Sequence, residues 1–193
     1  MAGPVIYTRW LKAGDARAVA RLERKAYARN QRNGRRGIES DLRAAEEHAT
    51  NMSLGLFHGT RLVGFLLAYI CHDRAAVFED FEVHHDEAVN LRGRSVYIED
   101  VVVLPRYSRS IFLLFTKWAR EHRRRCPELP LDAFCEPELL ERWTKYSRGF
   151  RHKGMELDRS MKVTDLSRDQ DWYWFSWRQL GTTARAAAAG RPG

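Results

Sequence analysis

The chain has 193 residues, 44% of them hydrophobic and 30% charged, with a formal net charge of +8. That is enough apolar material for a real core, and its longest apolar run, Val63–Cys71, covers nine residues, well short of the roughly 20 that span a bilayer. Three cysteines, Cys71, Cys126 and Cys135, show no Cys-x-x-Cys spacing, and no charged-then-apolar leader opens the chain. The reading is therefore a reduced, cytoplasmic protein with no membrane segment.

In chain order, Val5–Arg9 reads as a short strand and Ala16–Ala28 as an amphipathic helix, with Ala16, Val19, Ala20, Leu22 and Ala26 on one face. Arg32, Arg35 and Arg36 lie among Asn30, Asn33, Gly34 and Gly37 and read as a mobile basic loop before a second helix over Ile38–His48. Met52–Phe57 and Leu62–Ile70 form two strands about the turn His58-Gly59-Thr60-Arg61. His72–Arg94 is polar, with an acidic patch at Glu79, Asp80, Glu82, Asp86 and Glu87 that reads as a solvated loop or as a rim steering a cation. Val96–Leu104 is a β-branched strand ended by Pro105 and followed by a helix that closes on His122–Arg125, a cluster of cations suited to a helix C-terminus. Pro130–Cys135 is a strand, Pro137–Ser147 a helix opened by proline, and Trp172–Trp177 a strand with aromatic side chains on both faces, as in a core. No linker divides residues 1–180, which read as a single domain, and residues 181–193, rich in Ala, Gly and Arg, read as a disordered tail.

The junction Ser95–Arg120 carries most of the chemistry. A strand running through a polar turn into a helix leaves first-turn amides and a positive dipole end that attract phosphate. Arg106 and Arg109 add fixed charge there, and Ser108 and Ser110 can cap the helix or donate to phosphate oxygens.

The element order β-α-α-β-β-β-α-β-α-β resembles the GNAT superfamily of acyl-CoA-dependent N-acyltransferases over roughly Val5 to Trp177. Three segments carry the resemblance: Ile98-Glu99-Asp100-Val101-Val102-Val103-Leu104-Pro105, similar to the family's fourth strand; Ser53–Phe65, similar to its second-to-third strand hairpin; and Tyr146–Met155, similar to the Tyr…Gly-Phe element that ends its last helix. The resemblance implies a mixed α/β (α+β) fold, with a mostly antiparallel sheet of about six to seven strands, helices on both faces and a cleft where the fourth and fifth strands splay. It also implies acyl-CoA, acetyl-CoA included, as co-substrate, with pantetheine against the backbone of Val101, Val102 and Val103 and the pyrophosphate on Arg106, Tyr107, Ser108, Arg109 and Ser110. The acceptor would be a small-molecule or protein amine, its proton taken by Glu99 or Asp100, which alternation places on opposite strand faces, while Tyr146 protonates the leaving thiolate. Of the two carboxylates Glu99 is preferred, since it shares a face with Tyr97, Val101 and Val103.

Two departures from the family pattern stand out. The segment Arg106–Ser110 has no glycine where the family places Gly-x-Gly or Gly-x-Ala, and Tyr146 stands one residue closer to Gly149 than is usual, a shift of about 100° around a helix. Two other classes therefore stay open: a non-catalytic GNAT-like module binding nucleic acid or an acidic protein, and a transferase whose donor is linked to a carrier protein or tRNA. Adjacent His84 and His85 point opposite ways in an extended segment, so no metal is expected. Cys135 reads as a small buried residue rather than a nucleophile.

Overall fold

The β-branched and aromatic runs form strands and the 3.6-period segments form helices in a computed structural model that describes residues 5–27, 33–79, 81–83, 92–151, 155–166 and 169–179. The fold is mixed α/β, with eight strands and four α-helices among the described residues: β1 (Ile6–Trp10), α1 (Ala16–Ala26), α2 (Gly34–Glu47), β2 (Leu54–His58), β3 (Arg61–Cys71), β4 (Phe81–Val83), β5 (Ser95–Val103), α3 (Ile111–Arg125), β6 (Leu131–Cys135), α4 (Leu140–Arg151), β7 (Met155–Asp165) and β8 (Gln170–Gln179). None of these helices is long and apolar enough to cross a membrane. The chain divides into two compact units, Met1–Ile70 with Ile98–Trp118, and Cys71–Tyr97 with Ala119–Gly193.

In the first unit the strands run in the hydrogen-bonded order β1-β2-β3-β5. The β2–β3 hairpin turns through Gly59, whose φ of 58° favours glycine. Register then slips between Leu56 and Phe57: Leu56 pairs with Gly64 but Phe57 with Leu62, which leaves Val63 as a bulge. Ala16, Val19, Ala20 and Leu22 of α1 and Ile38 and Leu42 of α2 bury against Leu11, Phe57, Leu62, Phe65, Leu67 and Val102. Both helices thus cover one sheet face, as their periodicity dictates. Trp118 of α3 is buried and donates its indole N–H to the Met52 carbonyl at 2.8 Å.

Gly64 sets the β3–β5 spacing, since a Cβ there would meet Val103 Cγ2 at 2.9 Å and the Val102 carbonyl oxygen at 3.0 Å. Gly64→Val is expected to lower stability by about 1–3 kcal/mol through overpacking. An unchanged urea midpoint would show that these strands have room to part.

The second unit takes the start of β5 and then the order β6-β8-β7-β4; the Val96 N–H donates to the Pro130 carbonyl at 2.8 Å. The aromatic strand β8 is covered on both faces. Trp174 meets Phe78 edge-on at 5.3 Å on one side, while Phe175 and Trp177 meet Trp143 of α4 at 6.3 and 5.8 Å on the other. Asp132 is fully buried in β6 and receives a bidentate pair from Arg74, Nε to Oδ2 at 2.8 Å and a terminal nitrogen to Oδ1 at 2.7 Å. The same guanidinium donates to Ser176 Oγ at 2.9 Å and lies 5.1 Å from the Trp174 ring, whose N–H reaches Asp132 Oδ1 at 3.2 Å.

Several expectations need correction. Arg35, Arg36 and Gly37 are helical, because α2 begins at Gly34, which takes a φ of 71°, and Arg35 and Arg43 both pair with Glu39 within the helix. Arg32 lies outside the described residues. The stretch after His72 is not a plain loop: it holds a 3₁₀ turn at Ala75–Phe78 with Phe78 buried, and then β4. Strand β7 escapes the sequence pattern because a register shift between Leu157 and Arg159 breaks its alternation. His122 is not a capping cation, since burial pulls its imidazole down to about 4 and keeps it neutral; the exposed charges at that helix end are Arg123, Arg124 and Arg125.

Candidate functional site

On β5 the even positions Asp100 and Val102 share a face, and Val102 packs into the α1–α2 core. Asp100 therefore points toward α1, where Tyr27 caps the helix C-terminus in an extended conformation and donates its hydroxyl to Asp100 Oδ1. The second oxygen, Oδ2, is buried and has no hydrogen-bond partner among the described residues. Glu99 occupies the alternate position, yet its longer side chain accepts the Asn33 amide N–H at 2.8 Å just ahead of α2. The two carboxylates, placed on opposite faces by alternation, thus meet Tyr27 at the end of α1 and Asn33 ahead of α2, and the Asp100 charge acts on Glu99.

The electrostatics follow from that convergence. Burial first, then the charges of Asp41, Asp100 and Glu23, push Glu99 up to about 7, with the Asn33 hydrogen bond opposing. Burial pushes Asp100 up to about 7 as well; the Tyr27 hydroxyl opposes the shift and Glu23 adds to it. Burial, with Glu99 and Asp41 close by, raises the Tyr69 phenol above its usual value. A carboxylate pushed up to about 7 can accept a proton at neutral pH and give it up again.

Two residues beyond the end of β5 the basic turn begins. Pro105–Ser110 is a six-residue 3₁₀ helix leading directly into α3, longer than such helices usually run. At three residues per turn, Arg106 and Arg109 eclipse one another and stand on the same side, both exposed. The backbone offers less than the sequence suggests: the Tyr107 N–H is donated to the Leu104 carbonyl at 2.7 Å and the Ile111 N–H to the Ser108 carbonyl. The expected set of free first-turn amides is therefore partly spent, because the 3₁₀ hydrogen bonds consume them. What remains fits an anion through side chains, namely the two guanidiniums with exposed Ser108 and half-buried Ser110, rather than through an amide cradle.

Val101 and Val103 are half-buried on β5 and Val102 is buried. Tyr146 falls in α4, but its side chain lies outside the described part of the structure, as do His84, His85, Asp86, Glu87 and Asp80 entirely. Glu79 and Glu82 are exposed. Cys135 is buried and its thiol is pushed up to about 12, which leaves no thiolate at neutral pH. The described residues contain no group of three or more His, Cys, Asp or Glu arranged to hold a metal. Sequence reasoning missed Tyr27, Asn33, Asp41, Tyr69 and Glu23; the only local signal was a carboxylate, Glu23, on the apolar face of α1.

No protein-family model and no curated relative matches the chain. Solved structures do. Arabidopsis thaliana NAA60 in complex with acetyl-CoA superimposes with a TM-score of 0.62 at 16% identity, covering 89% of this chain and 98% of its own. Diaminobutyrate acetyltransferase EctA from Paenibacillus lautus, with L-2,4-diaminobutyric acid and coenzyme A, gives 0.59 at 12% identity over 90% and 95% of the two chains. The GphF GNAT-like decarboxylase in complex with isobutyryl-CoA gives 0.58 at 16% identity over 90% and 99%. At these identities the likeness establishes one thing, that the chain has the GNAT fold.

Proposed function

We propose that this GNAT-fold chain is an N-acyltransferase that moves an acetyl or other acyl group from acyl-CoA directly to an amine. The observation that carries the reading is the adjacent pair Glu99 and Asp100, both pushed up to about 7, seven and six residues before Arg106. An amine must lose its proton to attack a thioester, and a base is most effective when its pKa lies near the working pH. Solved neighbours bound to acetyl-CoA, coenzyme A or isobutyryl-CoA support the donor class.

On this reading, when bound, the thioester supplies an acyl carbon already activated for attack. Arg106 and Arg109 hold the donor's diphosphate, Ser108 and Ser110 donate to its oxygens, Tyr107 fixes the turn, and the backbone of Val101–Val103 orients the pantetheine arm. Glu99 or Asp100 takes the amine proton and Tyr146 returns one to the thiolate. The acceptor is a small-molecule or protein amine. Because the fold supports more than one reaction on acyl-CoA, the activity rests on these side chains and not on the topology.

Charge reversal at both arginines, Arg106→Glu with Arg109→Glu, is expected to weaken acetyl-CoA binding about a hundredfold or more by calorimetry, since each charge-assisted hydrogen bond contributes about 1.5–3 kcal/mol. Equal affinity in the double variant would remove the diphosphate from this turn. The spent amides at Tyr107 and Ile111 and the absence of glycine favour a second class of reading, in which the partner is a macromolecule: either a non-catalytic fold that binds nucleic acid or an acidic protein, or a transferase whose donor is presented on a carrier protein or tRNA. Wild-type protein that ignores millimolar acetyl-CoA yet binds such a macromolecule would select it.

A further inference from the structure

We propose that His58 is a positioning residue for the donor turn, and that the β2–β3 hairpin acts as the clamp that aims Arg106 and Arg109. The inference rests on the donor site proposed above. A 3₁₀ helix of six residues is longer than its own poorly aligned hydrogen bonds normally sustain, so it needs external support. The hairpin gives that support at two points. The carbonyl of Val63, the bulged residue of β3, accepts the Leu104 N–H at 3.0 Å and so anchors the residue that enters the turn. His58 closes β2 on the opposite face from buried Phe57, and its Nδ1 lies 2.9 Å from the Tyr107 hydroxyl, with the two rings tilted and 5.5 Å apart.

The second contact sets a rotation. Tyr107 sits between the eclipsed Arg106 and Arg109, a third of a turn from their common side. Holding its hydroxyl therefore fixes the direction in which both guanidiniums project. The bulge is part of the device: without the extra residue at Val63, the carbonyl that holds Leu104 would fall out of phase with the strand pair. His58 thus reaches the donor only through Tyr107, and its influence belongs to binding rather than to proton transfer.

The test compares His58→Ala, Tyr107→Phe and the double variant with wild type in donor KM, kcat, acetyl-CoA affinity by calorimetry, and hydrogen exchange of the Arg109, Ser110 and Ile111 amides in the ligand-free protein. Each single change is expected to raise donor KM and Kd about tenfold with kcat changed less than twofold, and the double variant to add little, because both remove one link. Turn amides should exchange faster in the free His58→Ala protein. His58→Asn, whose side-chain amide can stand where Nδ1 stood, should restore much of the affinity. Wild type that binds donor while His58→Ala binds it equally well overturns the positioning role alone. Wild type that binds no donor overturns the donor-site reading and the positioning role together, and a His58→Ala loss confined to kcat also rejects the clamp.

Discussion

Glu99→Gln and Asp100→Asn are expected to cut turnover, the variant that removes the true base falling by about a hundredfold to ten-thousandfold and the other by less. In wild type, kcat/KM should climb with pH and level off above about 7, where a carboxylate pushed up to that value becomes free to accept the amine proton. The base-deleted variant should lose this limb. Stability should move the opposite way. Both groups carry folded pKa values above their ordinary 4.5 and 3.8, so the native state binds more protons than the unfolded chain between about 4 and 7. The favourable contribution is complete below the unfolded values and is lost as pH rises through 7. Neutral isosteres should therefore stabilise the protein at pH 8 by about 1–2 kcal/mol, discounted because both side chains keep some contact with solvent, and show no gain near pH 4. Variants that remain fully active and are less stable at pH 8 would make the pair structural.

Asp132→Ala is expected to lose about 3–5 kcal/mol in urea unfolding, the largest stability effect of any single change proposed for the chain. Removing the carboxylate leaves the Arg74 guanidinium, only 12% exposed in its side chain, facing Trp174 and Ser176 with its main partner gone. A domain of ordinary stability, about 5–15 kcal/mol, would keep only a fraction of its margin. Replacing Arg74 and Asp132 together with apolar residues of similar volume should recover most of the loss, because the penalty comes from the stranded charge. A loss under about 1 kcal/mol in Asp132→Ala would show that water reaches the guanidinium once the acid is gone.

The parts of the fold that were legible in the sequence are those governed by local rules. The run Val96–Val103 ending at Pro105, the turn at Gly59 and the 3.6-residue spacing of α1 each state their structure within a few residues. Strand β7 was hidden because one bulge at Leu157–Arg159 inverts its alternation, and the start of α2 because two glycines among arginines imitate a loop. Both acids of the candidate site and both arginines were visible as residues. Their environment was not, since Tyr27 and Asn33 meet Asp100 and Glu99 across 73 and 66 positions of sequence, and no periodicity encodes such a meeting. The spent amides of the turn were equally invisible, because residue types alone do not decide between 3₁₀ and α hydrogen bonding in a segment of six residues.

That turn has an evolutionary corollary. Peptide nitrogens persist under every substitution except proline, whereas a pocket made of arginines can be dismantled by one codon change at a time. A donor gripped by two long cations would also be released progressively as electrolyte is added, since mobile ions shield exposed charges over about 8–10 Å. Lineages carrying this version of the loop could thus drift in donor strength, or exchange one carrier of the acyl group for another, while the sheet beneath stayed as it is.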